Sequence, residues 1–355
     1  MVPVPDDPAE AGRLGRALGV GDPIDDDISL VVATSGTTGI PKGAQHSPVT
    51  LAASATATTE RLGGSGAWLL ALAPHHIAGL QVLLRGLAAG AEPAVLDVRA
   101  GFDAETFADA IGALHGDRRY TSLVPTQLVK VLSSARATTA LASVDAVLVG
   151  GAATPNLLQR RAIDAGIPLV TTYGMSETAG GCVYDGVPLD GVAVDIPEPD
   201  NDGVGRVWLG GPVIARGYRN MPDHPAFGRP GWFRTDDLGR VDDAGTLHIV
   251  GRADEAITSG GLTVVPQVVE AVIADDPAVA ECAVVGLPDE RLGERVVAVV
   301  VASGHGEVNG DRIRGLVAER LDRYAAPRDV IEIDALPTRG PGKVDRRALR
   351  TRFGG

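Results

Sequence analysis

From Ile28 to Tyr173 the sequence alternates between short apolar runs and longer amphipathic stretches, an order that few folds accept. The runs ISLVVA, WLLALA, PAVLD, YTSLV, DAVLVGG and PLVTTY are too continuously apolar for strands with one wet face, so each calls for cover on both sides. The stretches between them, Ser47 to Leu62, Ile77 to Ala89, Asp103 to His115, Gln127 to Ser133 and Pro155 to Ala165, read as helices. Strands separated by helices predict an α/β domain with a largely parallel sheet. Ligands of such sheets gather beyond the carboxyl ends of strands. Three loops of small and polar residues fall there: after Ala33, at Gly150 and after Thr172.

After Gly181 the texture changes. Val183 to Val250 is short in its runs and punctuated by turns, which predicts an antiparallel sheet or small barrel. From Asp254 a third pattern begins: a helix at Pro266 to Ala274, strands AECAVVGL and ERVVAVVVA, a helix at Asp311 to Leu321, a strand DVIEID and a final helix. A chain of 355 residues exceeds what one core usually serves. The fold class expected is therefore α/β: a large N-terminal domain, residues 1–253, with a parallel α/β part (28–181) and a β part (182–253), then a small mobile α+β domain, residues 254–355. The first 27 residues look like a lead-in, with a short helix around Ala9 to Leu18.

Charge narrows the partners. A net charge of −13 argues against nucleic acid or an anionic membrane, since both need basic patches. Two cysteines, Cys182 and Cys282, make neither a disulfide framework nor a cysteine metal site. The start MVPVPDDPAE has no basic region followed by an apolar core, so no signal peptide is expected, and no apolar run reaches spanning length. The expected location is cytoplasmic.

The loop after Ala33 is TSGTTGIPKG. Gly36, Gly39 and Gly43 let backbone N–H groups approach phosphate oxygens; Thr34, Ser35, Thr37 and Thr38 add hydroxyls, and Lys42 adds a mobile charge. The residue after Lys42 is glycine, so this is not the loop of P-loop NTPases, which places a hydroxyl there for magnesium. ATP is the ligand expected; a flexible surface turn is the competing account of such a loop taken alone.

Further stretches bear on that choice. VGGAATP (Val149 to Pro155) sets small residues, Gly151 and Ala152 among them, at a strand end where an adenine could lie against the backbone. TTYGMSETAGG (Thr171 to Gly181) follows a strand with an aromatic, a glycine, a hydroxyl and a carboxylate. GWFRTDDLGRV, GRADE, SGGLTVVP and PTRGPGKVDRRAL come later in the chain. Together with the first loop, these stretches, from Thr34 to Leu349, resemble in order the motifs of the adenylate-forming superfamily of acyl-CoA synthetases, peptide-synthetase adenylation domains and luciferases.

That resemblance implies roles. Tyr173, beside Gly174, would stack on the base, Ser176 would bond the α-phosphate and Glu177 would hold Mg²⁺. Asp237 would take the ribose hydroxyls, although Asp236 stands where the family has glycine, which leaves open which acid does so. Arg252 would contact the ribose and Asp254 would be the hinge of the small domain. Gly260 and Gly261 would lie against the pantetheine channel. Lys343 would bridge the substrate carboxylate and α-phosphate, where a cation offsets the repulsion between two anions. An acidic solvated turn for GRADE and a solvated tail lysine for Lys343 are the plain alternatives.

Two narrower stretches, APHHIAGLQVLLRGLAAG and SLVPTQL, resemble the o-succinylbenzoate–CoA ligases of menaquinone synthesis, in their short actinobacterial form. The implied activity is acid–thiol ligation: ATP and the acid give acyl-AMP, and coenzyme A displaces AMP. No carrier domain follows, which favours coenzyme A as acceptor. His76 matches a gating position beside the acyl channel, and a buried, satisfied histidine is its alternative. Arg85 is a candidate, by charge alone, for the carboxylate that is not activated. A CoA ligase for another aryl or fatty acid and a non-catalytic nucleotide-binding regulator are the other functions considered. Only 33 residues precede the phosphate loop, fewer than in most relatives. Substrate contacts are then expected to be fewer, or supplied by a partner subunit of a homo-oligomer.

Overall fold

The computed structural model describes residues 1–34, 41–304, 306–339 and 343–354, without the side chains of Arg339 and Lys343. Ser35, Gly36, Thr37, Thr38 and Gly39, named above for the phosphate loop, lie outside the described residues. The chain divides into two compact units: one of residues 1–195, 208–235 and 242–247, the other of 196–207, 236–241 and 248–355.

The first unit opens with a helix, Pro8–Ala17, and an antiparallel pair, β1 (Leu30–Thr34) and β2 (Lys42–His46), in register from Leu30 opposite His46 to Thr34 opposite Lys42. This corrects the expectation that Ile28 to Ala33 joins the parallel sheet. A short buried apolar run reads the same in either setting, and the partner here is the chain just beyond the loop. Lys42 and Gly43, at the end of the motif, thus belong to a strand paired back onto β1.

The main sheet has seven strands: β3 (Ala67–Leu70), β4 (Ala94–Val95), β5 (Arg119–Leu123), β6 (Ala146–Val149), β7 (Leu169–Met175), β8 (Gly180–Tyr184) and β9 (Val187–Pro188). They lie in the order β4-β3-β5-β6-β7-β8-β9, parallel from β4 to β7 and antiparallel beyond. Alternation along each strand feeds two separate cores. Leu69, Leu123, Val147 and Val149 pack with Phe107, Ile111, Leu128 and Leu158; Trp68, Leu70, Tyr120 and Leu148 pack with Val82 and Tyr184. Cover on both faces is what the continuous apolar runs called for. The intervening helices start where polar caps allow: Ser47 Oγ accepts the Thr50 N–H ahead of Pro48–Arg61, and Asp103 accepts that of Thr106 ahead of Ala104–Gly112. A helix at Ala135–Leu141, short and rich in threonine, had no counterpart in the sequence reading.

The turn-rich region forms β10 (Ala193–Asp195), β11 (Gly205–Gly210), β12 (Trp232–Val241) and β13 (Leu247–Arg252), in that order across one sheet. The last three strands contribute residues to both units. The second unit continues with a tight pair, β14 (Ile257–Ser259) and β15 (Leu262–Val264), and a long hairpin, β16 (Val279–Asp289) and β17 (Gly293–Ala302), to which β18 (Asp329–Glu332) adds in parallel. Val284, Val296, Ala298 and Val300 face the helices Pro266–Ile273 and Gly310–Arg320, through Val269, Ile273, Ile313 and Val317. Ala283, Val285, Val297 and Val299 face Leu349 of the last helix, Arg346–Phe353.

Candidate active site

β7 runs on past Thr172 as far as Met175, turns through a short 3₁₀ segment, Ser176–Thr178, and returns as β8. The reversal is tight: a Cβ on Gly174 would stand 2.1 Å from the Gly180 carbonyl oxygen, so only glycine passes. Ala179 adopts the left-handed conformation at φ 52°, a cost for a non-glycine residue that its surroundings offset. Its carbonyl accepts from Ser54 Oγ at 3.0 Å and from Gln81 Nε2 at 2.7 Å. Thr178 Oγ1 accepts from the Met175 N–H and donates to the Gly180 carbonyl at 2.7 Å.

This corner presents Ser176 and Glu177. The Ser176 carbonyl is 2.7 Å from His46 Nε2, and its hydroxyl lies 3.4 Å from the Ala33 carbonyl at the entrance to the phosphate loop. His46 is fully buried. Burial pushes it down to about 4, only partly opposed by the bond to Ser176, so at neutral pH the ring is uncharged and Nε2 carries the donated proton. Glu177 is also buried; its carbonyl accepts from the Ala215 N–H at 2.8 Å and its carboxylate from the Tyr218 hydroxyl at 2.5 Å. Tyr218 also lies under the Lys42 ammonium, 5.0 Å from ring centroid to Nζ. Thr34, Lys42, Ser176 and Glu177 are thus gathered in one place. Tyr218 and His46, which the sequence reading did not single out, join them.

Gly151 and Ala152 follow the end of β6, whose Val149 pairs with Thr171, two residues before Tyr173 on β7. Helix Ile77–Ala88 places His76 at its N-cap, partly exposed, with its ring 4.2 Å from that of His75. Nine residues on, Arg85 is buried, 4% exposed, with its guanidinium 5.2 Å from the Trp68 ring centre. Its Nη2 reaches the Tyr184 hydroxyl at 3.4 Å, and its buried Nε has no hydrogen-bond partner among the described residues.

In the second unit, the pleat of β12 separates the two acids: Asp237 is buried and Asp236 exposed. Asp236 pairs with Arg206 at 2.8 Å; Asp237 lies 3.4 Å from Arg252 Nη1. Arg252 also clasps both oxygens of Asp254 at 2.8 Å. Burial works against its charge, but Asp254, Asp237 and Glu255 outweigh that and hold its pKa above the usual range. Gly260 and Gly261, at φ 61° and 83°, make the two-residue turn joining Ser259 and Leu262, a turn that needs positive φ at both positions. The Lys343 backbone pairs with Arg339 in a short ladder.

Comparisons with known proteins agree with this arrangement. A family model described as "AMP-binding enzyme" matches residues 7–219, and one described as "AMP-binding enzyme C-terminal domain" matches 268–343. A "Probable 2-succinylbenzoate–CoA ligase" of Mycobacterium tuberculosis is 53% identical over 351 residues, covering 98% of this chain and 90% of that protein. Among solved structures, o-succinylbenzoate CoA synthetase from Bacillus subtilis, in complex with its acyl-adenylate intermediate, superposes with a TM-score of 0.78 at 28% identity, covering 90% of this chain and 68% of that one. ATP-bound MatB from Rhodopseudomonas palustris gives 0.81 at 27%, covering 94% and 69%. The chain belongs to the AMP-binding enzyme family.

Proposed function

We propose that this protein is an ATP-dependent 2-succinylbenzoate–CoA ligase acting in menaquinone biosynthesis. The observation that carries the reading is the Ser176–Glu177 corner, fixed beside Lys42 at the mouth of the phosphate loop. The 53% identity to the mycobacterial ligase and the likeness to a synthetase holding its acyl-adenylate support the substrate.

The reaction proceeds in two displacements. One oxygen of the succinyl carboxylate attacks the α-phosphorus of ATP, and pyrophosphate leaves; the CoA thiol then attacks the acyl carbonyl, losing its proton, and AMP leaves. In the first step the barrier is mainly repulsion between anions, so the groups that matter are cations and donors already aimed at the phosphates. Lys42, Thr34 and the loop residues Ser35, Gly36, Thr37, Thr38 and Gly39 hold the polyphosphate; the Ser176 hydroxyl and Lys343 serve the α-phosphate. Tyr173, Gly174, Gly151 and Ala152 form the adenine slot, and Asp237 with Arg252 holds the ribose.

Glu177 suits Mg²⁺: it offers a hard oxygen, oriented by Tyr218, that can share the ion with substrate phosphates and water. Bound there, the ion would neutralise phosphate charge. Asp254 is our proposed hinge, with Gly260 and Gly261 facing pantetheine and His76 beside the acyl channel. Arg85 is assigned to the carboxylate that is not activated. A buried guanidinium whose Nε has no partner among the described residues is costly on its own and is relieved by an incoming carboxylate.

The test is a substrate panel. With ATP, Mg²⁺ and CoA, 2-succinylbenzoate should give AMP, pyrophosphate and thioester in equal amounts. Ferulate, benzoate and medium-chain fatty acids should give far less. Preference for one of those acids would discard the substrate and keep the mechanism, while ATP binding without pyrophosphate release on any acid would favour the regulator.

A further inference from the structure

The chain just past Lys343 is anchored at several points within the second unit. The Asp345 N–H donates to the Pro337 carbonyl at 2.7 Å, and the Asp345 carboxylate accepts the Ala348 N–H at 3.1 Å, which starts the last helix, Arg346–Phe353. Leu349 buries that helix against the β16–β17 hairpin. At the first helical position, Arg346 reaches two acids: Nη1 lies 3.1 Å from the Glu255 carboxylate, and Nη2 donates to that of Glu270. All three side chains are only 15–16% exposed.

Each acid is held in turn. Glu270 Oε1 also accepts the Val284 N–H at 2.7 Å, and Glu255 Oε2 accepts from Gln267 Nε2 at 2.5 Å. Gln267 Oε1 accepts the Arg252 N–H at 3.3 Å, an approach that Gly251 permits, since a Cβ there would stand 2.5 Å from the same oxygen. One chain of bonds thus runs from the Arg252 backbone, through Gln267 and Glu255, to the residue three past Lys343. Buried ion clusters are a poor source of stability, because apolar side chains of similar size often serve as well. A planar guanidinium that spans two carboxylates on separate elements supplies a single geometry instead.

We propose that Arg346 is a positioning residue for the adenylation step: its fork on Glu255 and Glu270 fixes where the last helix begins, and so where the Lys343 backbone stands. This rests on the adenylating reading above and on the part given there to Lys343. It makes Arg346 matter for the first displacement and not for the second. A cation delivered to reacting oxygens loses much of its effect when its base shifts by about 1 Å.

The test is the ratio of two rates in one preparation of the full chain: pyrophosphate release from ATP with 2-succinylbenzoate, and thioester formation from supplied 2-succinylbenzoyl-AMP with CoA. A variant that is only less folded loses both rates equally and keeps the ratio. Arg346→Met should lower the ratio by about 10–100-fold, through kcat of the first step and with the KM for ATP unchanged. Arg346→Lys, which keeps the charge without the fork, should recover part of that loss. Glu255→Gln, which weakens one arm of the fork, should lower the ratio in the same direction and by less; it decides the matter where Arg346→Met does not fold. An unchanged ratio in Arg346→Met, or in Glu255→Gln where the first variant does not fold, would overturn the inference. If Lys343→Ala keeps the ratio, or the wild-type protein releases no pyrophosphate with any acid, the reading beneath it fails instead, and this inference with it.

Discussion

Glu177 and Asp237 are buried to the same degree, 7% and 8% exposed, yet their surroundings have little in common. Around Glu177 the described hydrogen-bond partners are neutral. His46, Ser54, Gln81, Thr178, Tyr218 and the Ala215 N–H hold the carbonyls and carboxylate of the Ser176–Gly180 corner from several elements of the first unit. Around Asp237 the organising group is a charge: Arg252, clasping Asp254 and reaching both Asp237 and, at 3.8 Å, Asp236, which also pairs with Arg206. A neutral buried network keeps its geometry across salt and substrate charge, which suits the roles proposed for Ser176 and Glu177. A partly solvated ion-pair fork adjusts when a ribose hydroxyl arrives, which suits binding more than chemistry.

Substitutions should separate the two regions. Glu177→Gln keeps the shape and removes the charge, and should lower pyrophosphate release by about 10²–10³-fold, the scale for removing a preorganised electrostatic group; a small loss that extra Mg²⁺ restores would mean that Glu177 only tunes binding. Next in size is a pH effect confined to the corner. His46 has its folded pKa pushed down to about 4, against about 6.5 unfolded. Its contribution is full above the unfolded value and falls as pH drops towards 4, costing about 2 kcal/mol between pH 7 and pH 5. Denaturant midpoints should show that slope in the wild-type protein, and His46→Gln should flatten it.

The fork should respond more mildly. Asp237→Asn should raise the KM for ATP by about 10-fold with little change in kcat; Asp236→Asn with the larger effect would reverse the ribose assignment. Smallest of all is Arg206→Ala. Its pair with Asp236 is partly exposed to water, so thermal unfolding should shift by no more than about 0.5 kcal/mol.

Legibility followed the same divide between local and distant causes. The sheet from β3 to β7 was readable because residues buried on two faces leave unbroken apolar runs, and the small unit because its helices and strands have separate periods. Separation of Asp237 from Asp236 was also within reach, since Phe233, Thr235 and Asp237 share one side of a strand by simple alternation. The pairing of β1 with β2 was not, because ISLVVA is equally suited to a hairpin and to a parallel sheet. Nor was the segment from Tyr218 to His224, whose contacts with Gly43 and Lys42 span some 180 residues and leave no local pattern. His46 hid for a similar reason: its partner is a backbone carbonyl 130 residues away.

The most direct test of the account separates the two displacements. If the corner and phosphate loop hold the nucleotide while Lys343 serves only the first step, Lys343→Ala should lose pyrophosphate release by about 10²-fold or more. Thioester formation from supplied 2-succinylbenzoyl-AMP and CoA should stay near the wild-type rate. Equal loss in both half-reactions would contradict that division of labour.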